Sequence, residues 1–333
     1  TRSFCHGYDN IISVENLLRS WQEFICGKRN KKDVAEFAAD LMDNILELRQ
    51  ELLDKNYKHS QYEAFTINDP KTRSIHKASV RDRLLHHAIV RILYPYFDKK
   101  FIYDSYSCRL GKGTHRAVNR LNHFGRKVSK NNTKTVWILK CDVRKFFASI
   151  DKGVLKDILR KYIQDSDILW LLGQVVDSFQ TEENSQLGLP LGNLTSQLLI
   201  NVYMNEFDQF VKHVLKVKHY IRYADDFVIL NTDKSYLIDL LPKIETFLSK
   251  KLKLTLHPNK VSIKTLASGI DFLGWVNFPE HRVLRTSTKR RMLKRLKQFQ
   301  TEEMLNSCLG LIKHGNTLKL QEKMTKDFIL KTK

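Results

Sequence analysis

The stretch HYIRYADDFVIL, residues 219–230, places two adjacent carboxylates inside an otherwise apolar run, and a single buried strand cannot hold both. Side chains alternate between the faces of a strand, so one of the two acids would enter the core, where an unpaired charge costs several kcal/mol. Either the chain turns there or something positive binds there. With Tyr223 and Ala224 on one side and Phe227, Val228, Ile229 and Leu230 on the other, the segment reads as a hairpin carrying Asp225 and Asp226 at its tip.

The rest of the chain supplies the opposite charge. Against 36 Asp and Glu stand 57 Lys and Arg, a formal charge of +21 over 333 residues. That excess is beyond what solubility requires and points to a polyanionic partner, most simply nucleic acid. The basic residues are spread along the sequence rather than confined to a tail, and the apolar fraction of 42% suffices for a sizeable core. Five cysteines, odd in number and never at metal-ligand spacing, argue against a disulfide framework or a zinc site and for a reducing compartment. No apolar run approaches the roughly 20 residues that span a bilayer, and Thr1, Arg2 and Ser3 open no signal-peptide core. The expectation is a soluble, cytoplasmic protein with no membrane partner.

Along the chain, Val34, Phe37, Ala38, Leu41, Ile45, Leu48 and Leu52 follow one helical face and predict a single amphipathic helix over residues 33–57. Residues 62–78 alternate about Asp69 and Pro70 and predict two short strands around a turn, with Lys71 and Arg73 beside it. A helix is expected from residue 80 until Pro95, and SCRLGKGTHRAVNRL, 107–121, reads as a glycine-containing loop feeding another helix. TVWILKCDV, 135–143, is a β-branched apolar strand ending in Asp142; Phe146 and Phe147 follow, then a helix capped by Asp151. A Gly and Pro loop leads into a helix marked by Leu198, Val202, Asn205 and Gln209, and after the hairpin come a helix near 235–252, short strands up to DFLGWV and a basic helical tail from Arg285. The fold class is α+β, with a helical N-terminus, a mixed centre and a basic helical C-terminus.

Asp142 ends one strand and Asp225 with Asp226 tops another pair, so adjacent strand ends would bring three carboxylates together. Such a cluster repels unless cations neutralise it, and few hard oxygen ligands suit magnesium. Two such ions about 3.5–4 Å apart clamp the attacking and leaving oxygens of a phosphoryl displacement. The competing reading makes Asp142 a cap and the Asp pair a plain turn; the fully apolar flanks of the pair and the separate strand-ending acid favour the metal. His86 and His87 lack ligand spacing and read as packing or hydrogen-bonding residues.

YADDFVIL resembles the metal-binding motif of reverse transcriptases, and ILKCDVRKFFASID their first palm motif. GLPLGNLTSQ resembles the loop-to-helix motif beneath the templating base, LTLHPNKVSI the following lysine motif and IDFLGW the primer grip. FTINDPKTRSI, RDRLLHHAI and SYSCRLGKGTHRAV look like fingers motifs of the bacterial, group II intron-like enzymes, and the ordered set runs from about residue 62 to 276. The resemblance implies a right-hand polymerase: N-terminal helical region and fingers over 1–132, palm over 133–280 with part of the fingers at about 152–188, and a helical basic thumb over 281–333. It implies Asp142, Asp225 and Asp226 as catalytic and metal residues holding two Mg2+ ions, with Mn2+ as a substitute, and dNTPs as substrates. Lys71 and Arg73 would grip the triphosphate, with Arg81 and Arg83 weaker candidates. Phe147 would stack under the sugar while Phe146 packs in the core. Leu191, Gly192 and Gln197 would line the nucleotide, Lys260 would contact phosphate, and Lys289, Arg290, Arg291, Lys294, Arg295 and Lys297 would track duplex backbone.

Most reverse transcriptases carry Gln-Gly and a later Ser-Pro in the loop motif, whereas this chain has Leu191-Gly192 and Ser196-Gln197. That variant is similar to the reverse transcriptases of diversity-generating retroelements, which copy a template RNA into cDNA with frequent errors opposite adenine (mutagenic retrohoming). The alternatives are a retron or other host-defence reverse transcriptase, and a nucleic-acid-binding relative that has lost catalysis. Fewer than 60 residues follow FLGW, enough for a small thumb but not for maturase and endonuclease domains. The resemblance also implies a basic, barrel-like pentameric accessory protein. Two basic proteins repel, so RNA or a local acidic patch is expected to bridge them, and association unchanged by ribonuclease and high salt would argue otherwise.

Overall fold

The computed structural model describes residues 6–68, 72–180, 185–299 and 301–332. The N-terminal helices are α1 (Tyr8–Ile12), α2 (Val14–Phe24), α3 (Lys32–Ala39) and α4 (Leu41–Leu53). The hairpin β1 (Glu63–Ile67) and β2 (Arg73–Lys77) precedes α5 (Val80–Asp98). Next come α6 (Thr114–Val128), β3 (Trp137–Asp142), α7 (Lys152–Tyr162), α8 (Ser166–Asp177) and α9 (Leu194–Gln209). The hairpin β4 (Tyr220–Tyr223) and β5 (Asp226–Asn231) leads to α10 (Lys234–Leu252). Then follow β6 (Ser262–Thr265), β7 (Ile270–Phe272), β8 (Trp275–Asn277) and β9 (Arg282–Leu284). The chain closes with α11 (Thr286–Phe299), α12 (Glu302–Ile312) and α13 (Leu318–Thr332). The α+β class is as expected, and all three sheets, β1-β2, β4-β5-β3-β6 and β7-β8-β9, pair antiparallel.

The chain divides into two compact units, each assembled from separated segments. The first takes residues up to Tyr103, Val143–Val214 and Ile244–Leu256; the second takes Asp104–Asp142, Leu215–Lys243 and the chain from His257 onward.

In the first unit the single helix expected over 33–57 is two. Asp40, with φ −115° and ψ 40°, leaves helical geometry between α3 and α4, and its carbonyl accepts from the Asn44 amide. Val34, Ile45, Leu48 and Leu52 still share a buried face, whereas Ala38 is exposed. α5 runs through Pro95 to Asp98; a proline one turn from the end removes a single ladder bond that fraying would weaken in any case. Asp151 caps α7 as expected, its Oδ1 accepting from Val154 N–H at 2.9 Å while Oδ2 meets Lys253 Nζ at 2.7 Å.

α5 also buries His86, beside His59 (Nε2···Nε2 3.2 Å) and near Asp82, which accepts from the Tyr57 hydroxyl at 2.7 Å. Burial, aided by His59, pushes the His86 imidazole down to about 3, and burial lowers His76 and His87 too. A histidine kept neutral by folding takes its proton only on unfolding. Its contribution is therefore complete above pH about 6.5 and shrinks as pH falls below it, by up to about 1.4 kcal/mol per pH unit and residue. Denaturant titrations at pH 7.5 and 5.0 are expected to show this loss, and His86→Gln to flatten it; a pH-independent midpoint would refute the assignment.

The second unit has a continuous core. Ile138, Ile221, Val228 and Leu230 from the four-stranded sheet pack with Ala117, Val118, Leu121 and Phe124 of α6, and the same core takes in Phe272, Trp275, Met292, Leu296 and Ile312. β9, which the sequence reading left unassigned, extends the sheet of β7 and β8 by pairing Trp275 with Leu284. Cys26, Cys108, Cys141 and Cys308 are free thiols.

Candidate active site

The register of the central sheet brings the acids together. β3 pairs with β5 so that Trp137 faces Asn231, Ile138 faces Leu230, Lys140 faces Val228 and Asp142 faces Asp226. Because side chains alternate, Ile138, Lys140 and Asp142 share one face, and that face runs from the apolar core to a charged end. β4 pairs Tyr223 with Asp226, leaving Ala224 and Asp225 as the two-residue turn. Ala224 has φ 53°, left-handed and unusual for a residue with a Cβ. Cross-strand partners have Cβ atoms about 4.5–5.5 Å apart, so Asp142 and Asp226 are immediate neighbours and Asp225 is next along the chain.

Two lysines answer this charge. Lys140 Nζ lies 3.7 Å from Asp226 Oδ2 and donates to the Asp271 carbonyl at 2.5 Å. Lys260 sits at the end of a short 3-10 turn after His257, whose N–H donates to the Asp142 carbonyl at 2.8 Å, and its Nζ reaches Asp142 Oδ1 at 2.8 Å. Lys260, the expected phosphate contact, thus pairs with an acid of the cluster. Asp226 Oδ1 is buried without a hydrogen-bond partner. Burial pushes the Asp226 carboxyl up to about 7, helped by the charges of Asp142, Asp225 and Asp271 and opposed by Lys140. Among the described residues no three Asp, Glu, His or Cys side chains converge on one point; Asp142 and Asp226 are cross-strand neighbours, each met by a lysine.

Other expected residues gather in the first unit around the loop 185–193. Leu189 N–H donates to the Phe147 carbonyl at 2.9 Å and Gly188 N–H to the Ile150 carbonyl at 2.8 Å, while His76 N–H on β2 donates to the Leu191 carbonyl at 3.2 Å. The loop thereby joins Phe147 to the strand that carries Arg73. Gly192 has φ +105°, and a Cβ there would crowd Ile75 Cγ2 at 3.1 Å, so the backbone conformation calls for glycine and a side chain would press on β2. Phe146 is buried, as expected of a core residue, and Phe147 is half-buried; both lie in a 3-10 turn, Phe146–Ser149, with ring planes at 76°, rather than on opposite faces of a strand. Gln197 lies in the first turn of α9, its N–H donating to the Asn193 carbonyl. Arg73 is exposed, and Lys71 lies outside the described residues.

Arg81 and Arg83 are placed differently from a triphosphate grip. Arg81 pairs with Glu51, and Arg83 with Asp33 at 2.6 Å, so both tie α5 to the preceding helices. On α11, Met292 and Leu296 are buried while Lys289, Arg290, Lys294, Arg295 and Lys297 are exposed and Arg291 is half-buried. Sequence reasoning missed Lys140, whose position two residues before Asp142 is enough to place it on the same strand face. It also missed Arg222, buried beneath the hairpin tip.

Residues 57–276 match the family described as reverse transcriptase (RNA-dependent DNA polymerase). The chain belongs to that family. It is 24% identical to Protein YkfC of Escherichia coli over 302 residues, 79% of this chain and 77% of that protein. It is also 22% identical to the group II intron-encoded protein LtrA of Lactococcus lactis over 319 residues, 75% of this chain but 51% of that protein. A telomerase from Candida tropicalis, truncated of its C-terminal domain, has a similar fold with TM-score 0.52 and 12% identity, over 73% of this chain and 60% of that one. A Candida albicans telomerase gives 0.53 and 12%, over 81% and 55%. The chain is thus a reverse transcriptase homologous to group II intron-encoded proteins, with the α+β fold of a right-hand polymerase, and it spans about half the length of LtrA. No helix among the described residues is long and apolar enough to cross a membrane.

Proposed function

We propose that this chain is the RNA-directed DNA polymerase of a diversity-generating retroelement, copying a template RNA into cDNA with low fidelity opposite adenine. The observation that carries the catalytic part is the register that sets Asp142 against Asp226 with Asp225 in the adjoining turn. The buried, unpartnered Asp226 Oδ1 and the mutual repulsion of these carboxylates suit divalent cations. Asp142, Asp225 and Asp226 would hold two Mg2+ ions, which when bound supply charge stabilisation for attack of a primer 3′ hydroxyl on the α-phosphate of a dNTP. Lys140 and Lys260 keep the acids in place. Arg73, and Lys71 by family resemblance, would neutralise the triphosphate; Phe147 would stack under the sugar and exclude a ribose 2′ hydroxyl, and Gly192 would let the protein backbone approach the incoming nucleotide closely. In this reading 1–132 form the fingers with part of 152–188, 133–280 the palm and 281–333 a thumb whose exposed α11 cations follow the duplex. A basic pentameric accessory protein would complete the complex.

The retroelement assignment rests on the Leu191-Gly192 and Ser196-Gln197 variant. Where Gln would hydrogen-bond near the nucleotide, Leu191 offers only an apolar contact, so discrimination based on hydrogen-bond geometry weakens. Primer extension with Mg2+ on an adenine-containing RNA, with products sequenced, tests both parts. Extension is expected to depend on the divalent ion, and errors to concentrate opposite adenine. Leu191→Gln is expected to lower adenine misincorporation several-fold; an unchanged error spectrum would remove Leu191 from the explanation. Uniform fidelity in the parent would turn the reading toward a retron-type or host-defence enzyme.

A further inference from the structure

The second unit holds a cavity of about 610 Å³ between α6, the start of β9 and the turn joining α12 to α13. It shares no lining residue with the acid cluster. Polar and charged residues line it, although their carbon atoms form more than half of the exposed wall: Asn122 and Arg126 come from α6, Glu280 and Arg282 from the approach to β9 and its first residue, and His314 and Asn316 from the α12–α13 turn.

The cationic side is fixed from beneath. Arg282 donates through Nε to the His314 carbonyl and through Nη1 to Asn119 Oδ1 at 2.7 Å, and its guanidinium lies 5.5 Å from the centre of the Trp275 ring. His314 stacks on His115 with ring centroids 3.7 Å apart. Burial lowers both imidazoles, so at neutral pH they are uncharged aromatic rings, of which His314 lines the cavity. Arg126 touches Glu280 only at 4.0 Å and keeps donors for another acceptor. The turn packs closely on the ring beneath it, and a Cβ at Gly315 would strike Trp275.

A pure phosphate site would not carry Glu280 in its wall, and a protein hot spot would need an apolar, aromatic floor. Guanidinium groups for a phosphate, amides and a carboxylate for polar base edges, and a neutral stacked ring together match one unstacked nucleotide. The volume lies in the range of small-ligand sites.

We propose that this cavity binds a single unpaired ribonucleotide of the RNA being copied, outside the duplex held at the catalytic acids. The inference rests on the proposed function only for the identity of the nucleic acid.

Direct binding at fixed salt tests it, with a single-stranded RNA and a blunt RNA–DNA hybrid as probes. Asn122→Ala and Arg126→Ala both remove side chains that line the cavity. Their combination is expected to weaken single-stranded RNA binding about tenfold to a hundredfold, the loss of one base contact. Hybrid binding should remain within twofold. Lys127→Ala, which removes the same charge one residue from Arg126 outside the cavity, controls for general electrostatics and should cost far less. Photocrosslinks from 4-thiouridine in the single strand should map to α6 or to residues 280–282 and 314–316. Equal losses on both probes, an effect of Lys127→Ala as large as that of Arg126→Ala, or unchanged single-strand affinity would each overturn the proposal. Failure of primer extension in the parent protein would instead remove the proposed function and leave the binding result standing.

Discussion

Asparagine in place of Asp142 is expected to reduce primer extension at least about a thousandfold while leaving the protein folded. The change preserves volume and the backbone bonds of β3, including the Asp142 carbonyl that accepts from His257 N–H at 2.8 Å. What it removes is one of the charges that would hold a divalent ion in the proposed site, and a loss of about 4 kcal/mol of transition-state stabilisation corresponds to that factor. Stability should change by less than about 1 kcal/mol. The partly exposed pair with Lys260 is lost, but so is a negative charge directly across the strand from Asp226, whose carboxyl that charge helps hold near 7. Single-turnover extension with varied Mg2+, alongside a denaturant midpoint, separates the two effects. A variant that extends within tenfold of the parent would mean that the Asp142–Asp226 juxtaposition is structural only. Lys260→Met is the informative companion: if Lys260 serves Asp142 rather than phosphate, its loss should alter the Mg2+ requirement more than the apparent affinity for dNTP.

How far the sequence foretells this arrangement depends on the range of the physics involved. Local patterns were enough for the hairpin at 219–230, because apolar flanks with two acids between them leave the chain little choice but to turn. They were also enough for the Asp151 cap and for the strand ending at Asp142. The register of β3 against β5 is a different matter, since it is fixed by packing along a whole sheet face, Ile138 against Leu230 and Lys140 against Val228. No pattern within either strand states which residue of one faces which of the other. The break at Asp40 escaped for the opposite reason: the helical face continues across it, and hydrophobic spacing alone cannot detect one residue leaving helical geometry. Arg81 and Arg83 look in sequence like surface cations, and only their acidic partners Glu51 and Asp33, 30 and 50 positions away, assign them to holding helices together.

Loss of Arg222 should cost stability and activity together. It is completely buried, yet its backbone and side chain are all engaged around the hairpin tip. Its N–H donates to the Asp104 carbonyl, and its carbonyl accepts from Tyr106 N–H, each at 3.0 Å. Through Nη1 and Nη2 the guanidinium donates to the Ala224 carbonyl and to Ser105 Oγ, both at 3.1 Å. Ala224 carries the left-handed φ of the turn, a conformation that costs about 1 kcal/mol or more for a residue with a Cβ and persists when surrounding bonds over-determine it. Methionine can replace the aliphatic stem but none of the donors, so Arg222→Met should strand two buried acceptors and cost about 3 kcal/mol. Releasing the Ala224 carbonyl also frees the peptide that leads into Asp225. Extension measured at a temperature where the variant remains folded should therefore fall by at least about tenfold, with the loss in kcat rather than in the apparent affinity for dNTP. Arg222→Lys retains the charge but cannot reach both acceptors with a planar fork, and it is expected to recover stability only in part. A destabilised yet fully active Arg222→Met protein would show that the buried guanidinium braces the core without positioning the acids, and a variant unchanged in both respects would remove Arg222 from the argument altogether.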